Sequence, residues 1–206
     1  MNENDLMDVC LSKIKYPIND DSAYWKIIKS LRELLKIKDF DKITVIEICK
    51  NSNVSRKTFY DNFRDKNDIV EKIILQNIIK PFIQMNEMFS KNRMSALITI
   101  EWLFQQFYDD REFYEKIYDF TGQNSFKDLI IKCTHAIALY NLEEIEMSEI
   151  EKNYMAYFYS TSHAMLLIKW IQDKMVVPPK TMASYYKKWT LPLWEEIYAK
   201  KQNNDG

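Results

Sequence analysis

Residues 43–63 read ITVIEICKNSNVSRKTFYDNF and run directly into RDKNDIV at 64–70, and this stretch decides the fold. Thr44 is placed to cap a helix, its hydroxyl accepting a hydrogen bond from a backbone N–H two or three residues on. Val45, Ile48 and Cys49 then share one inner face. The helix is expected to stop near Asn51. Asn53 suits the left-handed backbone of a sharp turn better than any residue but glycine, and Val54 can drop into a small core beneath it. Ser55 restarts the chain as a second cap. Phe59 and Phe63 lie four apart and face inward, which turns Arg56, Lys57 and Tyr60 outward. Two short helices joined in this way make a helix-turn-helix. The second helix of such a unit enters the major groove of DNA, where Arg, Lys, Thr and Tyr near its N-terminus hydrogen-bond to base edges and phosphates.

Residues 43–70 resemble the N-terminal DNA-binding domain of the TetR family of bacterial transcriptional regulators. The family pattern, roughly T-V-x-x-I-A-x-x-A-G-V-S-x-x-T-F/Y-Y-x-H-F-x-x-K-x-x-L, is met by Thr44, Val45, Ile48, Val54, Ser55, Thr58, Phe59, Tyr60, Phe63 and Lys66. Cys49 and Ser52 replace alanines, Asn53 the turn glycine, Asn62 a histidine and Val70 a leucine, all compatible in size or backbone preference. Carried over position by position, the resemblance implies DNA contacts from Thr44, Ser55, Arg56, Lys57, Thr58 and Tyr60, with Lys66 touching phosphate from the start of the next helix. The plainer reading, two packed helices with a solvated basic face, leaves most of that pattern unexplained. Cys49 reads as a small buried residue that lets two helices approach, not as a reactive thiol.

Composition points to an all-α chain. Gly122 and Gly206 are its two glycines, which disfavours glycine-turn sheet folds and glycine-cradled phosphate sites. A chain of 206 residues with 47% hydrophobic content can bury a substantial core. Cys10, Cys49 and Cys133 are odd in number and scattered, no apolar leader follows Met1, and no run is long enough to cross a bilayer. A reducing cytoplasm is the expected location, with no membrane partner. The net charge of -1 argues against an indiscriminate nucleic-acid coat. Residues 1–66 hold 13 Lys and Arg against 11 Asp and Glu, the remainder 16 against 19, an asymmetry of the right sign for a DNA-facing head but small.

The expected organisation is a three-helix DNA-binding head at residues 1–66, with a flexible arm at 1–19, and a helical effector-binding and dimerisation body at 67–206. A helix starting at Asp20, Asp21 or Ser22 carries Ile27, Ile28, Leu31, Leu34 and Leu35 at helical spacing and braces the motif. In the arm, Lys13 and Lys15 read as solvated tail charges. Asp65 caps the helix after the motif, with Asp68 completing an acidic capping box. That helix, apolar at Ile69, Val70, Ile73, Ile74, Leu75, Ile78 and Ile79, should pack between head and body until Pro81 bends or ends it. The resemblance implies that ligand binding in the body shifts this helix and respaces two recognition helices across a dimer.

Beyond Phe82 the chain shows helical runs near 94–107, 111–120, 125–139 and 148–176, rich in aromatics and Met. Trp102, Phe107, Tyr118, His135 and Tyr157 are candidates to line a pocket for an unidentified small-molecule effector. Residues 148–176 and 182–201, separated by Pro178 and Pro179, read as a helical hairpin. TetR-like proteins pack two such hairpins into a four-helix bundle, which implies a homodimer formed by Tyr154, Phe158, Leu167, Trp170, Ile171 and Trp189. The passage LLIKWIQDKMVVPPKTMASYY at 166–186 is more loosely similar to the family branch that includes activators of dihydroxyacetone kinase operons, which adds a second regulatory protein as a partner. His135 and His163 belong to no zinc or catalytic motif, and Cys133-x-His135 lacks further ligands, so no metal, cofactor or catalytic residue is expected. The expected protein is a TetR-like repressor that binds a near-palindromic double-stranded operator as a dimer and is released by a small molecule. Its rivals are an activator or coactivator using the same contacts, and a helical interaction module that has lost DNA binding.

Overall fold

The computed structural model describes residues 21–89, 93–120, 125–143 and 145–190, without the side chains of 86–89 and 93–97. The expected arm at 1–19, with Lys13 and Lys15, lies outside this set, as do residues 191–201 of the last expected helix. Among the described residues the chain is all-α. Helix α1 spans Ala23–Leu35 and a 3-10 turn follows at Phe40–Lys42. Helices α2 (Val45–Ser52) and α3 (Arg56–Asn62) come next. Helix α4 (Lys66–Ile74) continues through a π-helical turn at Leu75–Ile79 into α5 (Lys80–Phe89). Then come α6 (Arg93–Asp109), α7 (Arg111–Ile117), α8 (Phe126–Leu142) and α9 (Glu149–Gln172), and residues 179–190 form a further helix, α10.

The head is three short helices around a knot of Ile27, Leu31, Ile48, Phe59 and Phe63, each at most 1% exposed. Tyr24 of α1 stacks on Phe63 with ring centroids 4.9 Å apart, and the buried Ser30 hydroxyl donates to the carbonyl of Ile48 at 3.0 Å, locking α1 to α2. Helices of seven or eight residues are marginal alone, so this burial and their caps hold them. Helix α4 and the π turn after it carry all seven of the expected apolar residues into the core, four on α4 and three on the turn. They run between head and body, and the buried cluster passes from α1 to α9 and α10 without a break.

Pro81 does not end the helix, one of the two outcomes expected of it. The π turn just before it widens the backbone, and the Lys80 N–H donates to the carbonyl of Leu75, five residues back, so the chain passes a residue that has no N–H to give. In the body, α8 and α9 pack as a long pair capped by Ser125 and Ser148, whose hydroxyls accept from the N–H groups of Asp128 and Glu151. Lys174 and Met175 take left-handed backbone (φ 58° and 50°) after α9 and reverse the chain toward α10. Met175 is buried in that corner, and the Trp170 indole N–H donates to the carbonyl of Val177 at 2.8 Å.

Candidate nucleic-acid interface

Thr44 and Glu47 form a complete capping box: the Glu47 N–H donates to the Thr44 hydroxyl at 3.3 Å, and the Thr44 N–H donates to the Glu47 carboxylate at 3.0 Å. Lys38 pairs with the same carboxylate. The Lys38 hydrogen bond, then those from Thr44, hold the Glu47 carboxyl down to about 2. Asn53 closes α2 in left-handed backbone at φ 53°. The Ser55 hydroxyl accepts from the Thr58 N–H at 3.0 Å and lies 2.8 Å from the Thr58 hydroxyl. These caps satisfy backbone donors at both helix starts and fix the angle between α2 and α3.

On the framed outer face, Arg56 and Lys57 are exposed and make no hydrogen bond or ion pair with any described residue. Tyr60 is 52% exposed, and its ring packs edge-on to the buried Phe59 at 5.4 Å. Unspent donors on a rigid short helix are what a groove-reading element requires. Cys49 is buried beneath, and burial pushes its thiol pKa up, with Arg56 opposing.

Lys66 departs from the role expected of it. Its ammonium donates to the carbonyls of Phe40 (2.7 Å), Asp41 (3.0 Å) and Ile43 (2.9 Å), and sits 4.7 Å from the centre of the Phe40 ring. An ammonium has three protons, so its donors are spent inside the head. Burial lowers its pKa, with Asp41 opposing. Lys66 therefore ties the start of α4 to the turn before α2. The acidic box at the same helix start is also shifted. Asp65 accepts from the Asp68 N–H as expected, but the Asp68 carboxylate receives the backbone and side chain of Arg64. Burial works against the Asp68 charge, yet the Arg64 hydrogen bonds and the Lys72 and Arg64 charges prevail, so its pKa is lowered.

A family model described as bacterial regulatory proteins, tetR family, matches residues 27–73, and one described as a transcriptional regulator C-terminal region matches residues 95–190. Together they cover more than two thirds of the chain. The chain belongs to the tetR family. It is a DNA-binding transcription regulator and not an enzyme. A solved structure entitled dihydroxyacetone kinase operon activator DhaS is similar in fold, at TM-score 0.52 and 15% identity over 86% of this chain and 97% of that one. The tetR family repressor AlkX from Dietzia sp. strain DQ12-45-1b, described as implicated in biodegradation of n-alkanes, aligns at TM-score 0.47 and 17% identity over 85% of this chain and 97% of that one. No curated protein matches.

The body of this tetR-family chain distributes its candidate residues differently from the expectation. Phe107 is 1% exposed and packs on Tyr114 and Phe126, so it belongs to the core. Tyr157 is 61% exposed on the outside of α9. Trp102, Tyr118 and His135 are half-buried, and none of the five lines a cleft of about 570 Å³ formed by other described residues. That cleft opens at the joint of head and body, between α1, the π turn and the α6–α7 corner. The dimer set divides as well. Leu167, Trp170 and Ile171 are buried within the chain at 8%, 3% and 0%, Trp170 edge-on to Phe104, and are corrected to core residues. Tyr154, Phe158 and Trp189 are exposed, and Ile150, Tyr157, Met165 and Tyr185 join them. Their spacing on α9 follows one helical face, a signal present in the sequence but masked by the equally apolar inner face. Among the described residues no group of His, Cys, Asp and Glu is arranged to hold a metal, and no helix is long and apolar enough to cross a membrane.

Proposed function

We propose that the protein represses transcription as a homodimer bound to a near-palindromic operator, and that a small-molecule effector releases it. The observation that carries this reading is the outer face of α3: Arg56 and Lys57 exposed and without a hydrogen bond or ion pair to any described residue, beside the exposed Tyr60, on a helix whose orientation two caps and a buried Phe pair fix. In this reading these three residues meet bases and phosphates. The capped hydroxyls of Thr44, Ser55 and Thr58 sit at helix starts, where backbone N–H groups favour phosphate oxygens. Lys66 acts as a positioning residue. The exposed stripe Ile150, Tyr154, Tyr157, Phe158 and Met165, with Tyr185 stacked on Trp189 at 5.6 Å, supplies the dimer face, since contiguous exposed apolar residues of this kind mark interaction surfaces. The head ends near residue 66, the remainder forms the body, and the partner DNA places the protein in the cytoplasm.

Repression and release follow from one coupling free energy. A ligand that fits the body better when the two α3 helices are misplaced for successive major grooves lowers DNA affinity, and DNA lowers ligand affinity by the same factor. Selection of duplexes from a random DNA library by the purified protein, at near-physiological salt, tests the reading. Enrichment of a palindrome with half-sites about one or two helical turns apart, and a fall in a reporter placed behind it, support it. A rise in that reporter assigns activation instead, and no enrichment by folded dimeric protein contradicts operator binding.

A further inference from the structure

The cleft at the head–body joint is walled by three parts of the chain that are distant in sequence: Arg32 of α1, Gln76 and Asn77 of the π turn, and Gln106, Asp109 and Asp110 at the α6–α7 corner. Arg32 and Asp110 are committed to each other, Nη1 to Oδ1 at 2.8 Å and Nη2 to Oδ2 at 2.7 Å, and the guanidinium also lies 4.4 Å from the centre of the Phe113 ring. This clasp ties the head to the body. Asp109 is left as the uncompensated charge of the cleft. Its carboxylate accepts from the neutral Gln105 side chain at 2.7 Å and pairs with no cation among the described residues. Ile78, Pro81 and the buried Tyr114 give the cleft an apolar floor, and three carboxamides give it neutral acceptors. The wall formed by Gln76, Asn77 and Ile78 is itself the π turn, an irregularity that often marks functional sites.

We infer that this cleft is the effector site and takes a small cation on a short apolar chain, an alkylamine or alkylguanidine, with its charge beside Asp109. The inference rests on the effector-release reading and adds to it a place and a ligand class. An anion would meet two carboxylates against one arginine that is already paired. A bound guanidinium offers Asp110 a second partner, weakens its hold on Arg32 and frees α1 to turn relative to the α6–α7 corner. The coupling then runs through α1 as well as through α4.

The test is calorimetric titration of the DNA-free full-length protein with agmatine, which carries a guanidinium and an amine on a four-carbon chain, and with succinate as its anionic counterpart. Saturable binding of agmatine but not succinate is expected. Asp109→Asn should weaken it about tenfold or more, while Glu151→Gln, an exposed carboxylate on α9 outside the cleft, leaves it unchanged. No saturable agmatine binding, binding of succinate, or equal effects of the two substitutions would overturn the assignment. These heats are read without DNA, so they decide the site even if no operator is found. With an operator in hand, agmatine should raise the dissociation constant of the wild type and not of Asp109→Asn. Binding at the cleft with no change in DNA affinity overturns the effector role and leaves operator binding standing.

Discussion

The head and the body start their helices on the same Ser and Thr caps but differ in helix length and in how the buried face is chosen. In the head, α2 and α3 have eight and seven residues, and each start is closed by a hydroxyl three residues before its backbone donor. In the body, α8 and α9 have 17 and 24 residues and are apolar on more than one face, so packing against neighbours chooses which face is hidden. A surface that must read DNA needs a fixed orientation and unspent donors, and short-range caps supply that. A surface that must respond to a ligand or a second copy can rest on broad packing with alternatives.

The largest expected effect attacks the head at its centre. Phe59→Ala removes a fully buried ring and should destabilise the protein by about 3–5 kcal/mol. Urea denaturation followed by circular dichroism should show it, while hydrogen exchange in α8 and α9 stays protected. Equal loss of protection in head and body would erase the distinction between them.

The second prediction sharpens the body side. His163 lies against Tyr186, hydroxyl to ring nitrogen at 2.9–3.0 Å, with the Tyr159 ring 5.5 Å away, and burial lowers its pKa to about 4. The unfolded chain takes up this proton near 6.5 and the folded chain only near 4, so between these values the unfolded state binds more protons and stability falls as pH falls. The contribution is complete above pH 6.5, and roughly 3 kcal/mol is lost by pH 4. Denaturant titrations across that range, with His163→Gln flattening the profile, check it. A flat wild-type profile would contradict the buried neutral imidazole.

The smallest of the three returns to the head. Lys66→Met keeps the stem but removes the ammonium from three carbonyls, of which that of Phe40 keeps the Ile43 N–H, a loss of about 2 kcal/mol. Its signature is lowered melting with DNA binding weakened only in proportion to the unfolded fraction. A large affinity loss in a protein of unchanged stability would restore Lys66 to the phosphate contact that the family resemblance implies.

What could be read from the chain follows the same division. Thr44, Asn53, Ser55 and Asp65 act on backbone groups within a few residues, so spacing alone identifies them, and Phe59 and Phe63 declare the inner face of α3 by their separation of four. The tie that Lys66 makes between α4 and the turn before α2 is not legible in the sequence, because its partners lie 23 to 26 residues upstream, where no local pattern points. Leu167, Trp170 and Ile171 could not be told from Tyr154 and Phe158, since α9 presents apolar residues to both sides and tertiary packing selects between them. Pro81 does not mark the end of the helix, because a five-residue backbone step that absorbs a proline leaves no mark in composition. The cleft was invisible for a related reason: its walls come from α1, the π turn and the α6–α7 corner, and its charge balance depends on Arg32 choosing Asp110 rather than Asp109.

The most direct test of the central claim, that the outer face of α3 reads DNA, is equilibrium binding of a selected duplex by the wild type and by Arg56→Ala/Tyr60→Ala. Both side chains lie outside the core, so the double variant should melt within a few degrees of the wild type. It should lose roughly a hundredfold in affinity, the sum of two contacts worth about 1–3 kcal/mol each. A double variant that folds equally well and binds the same duplex with wild-type affinity would contradict the account.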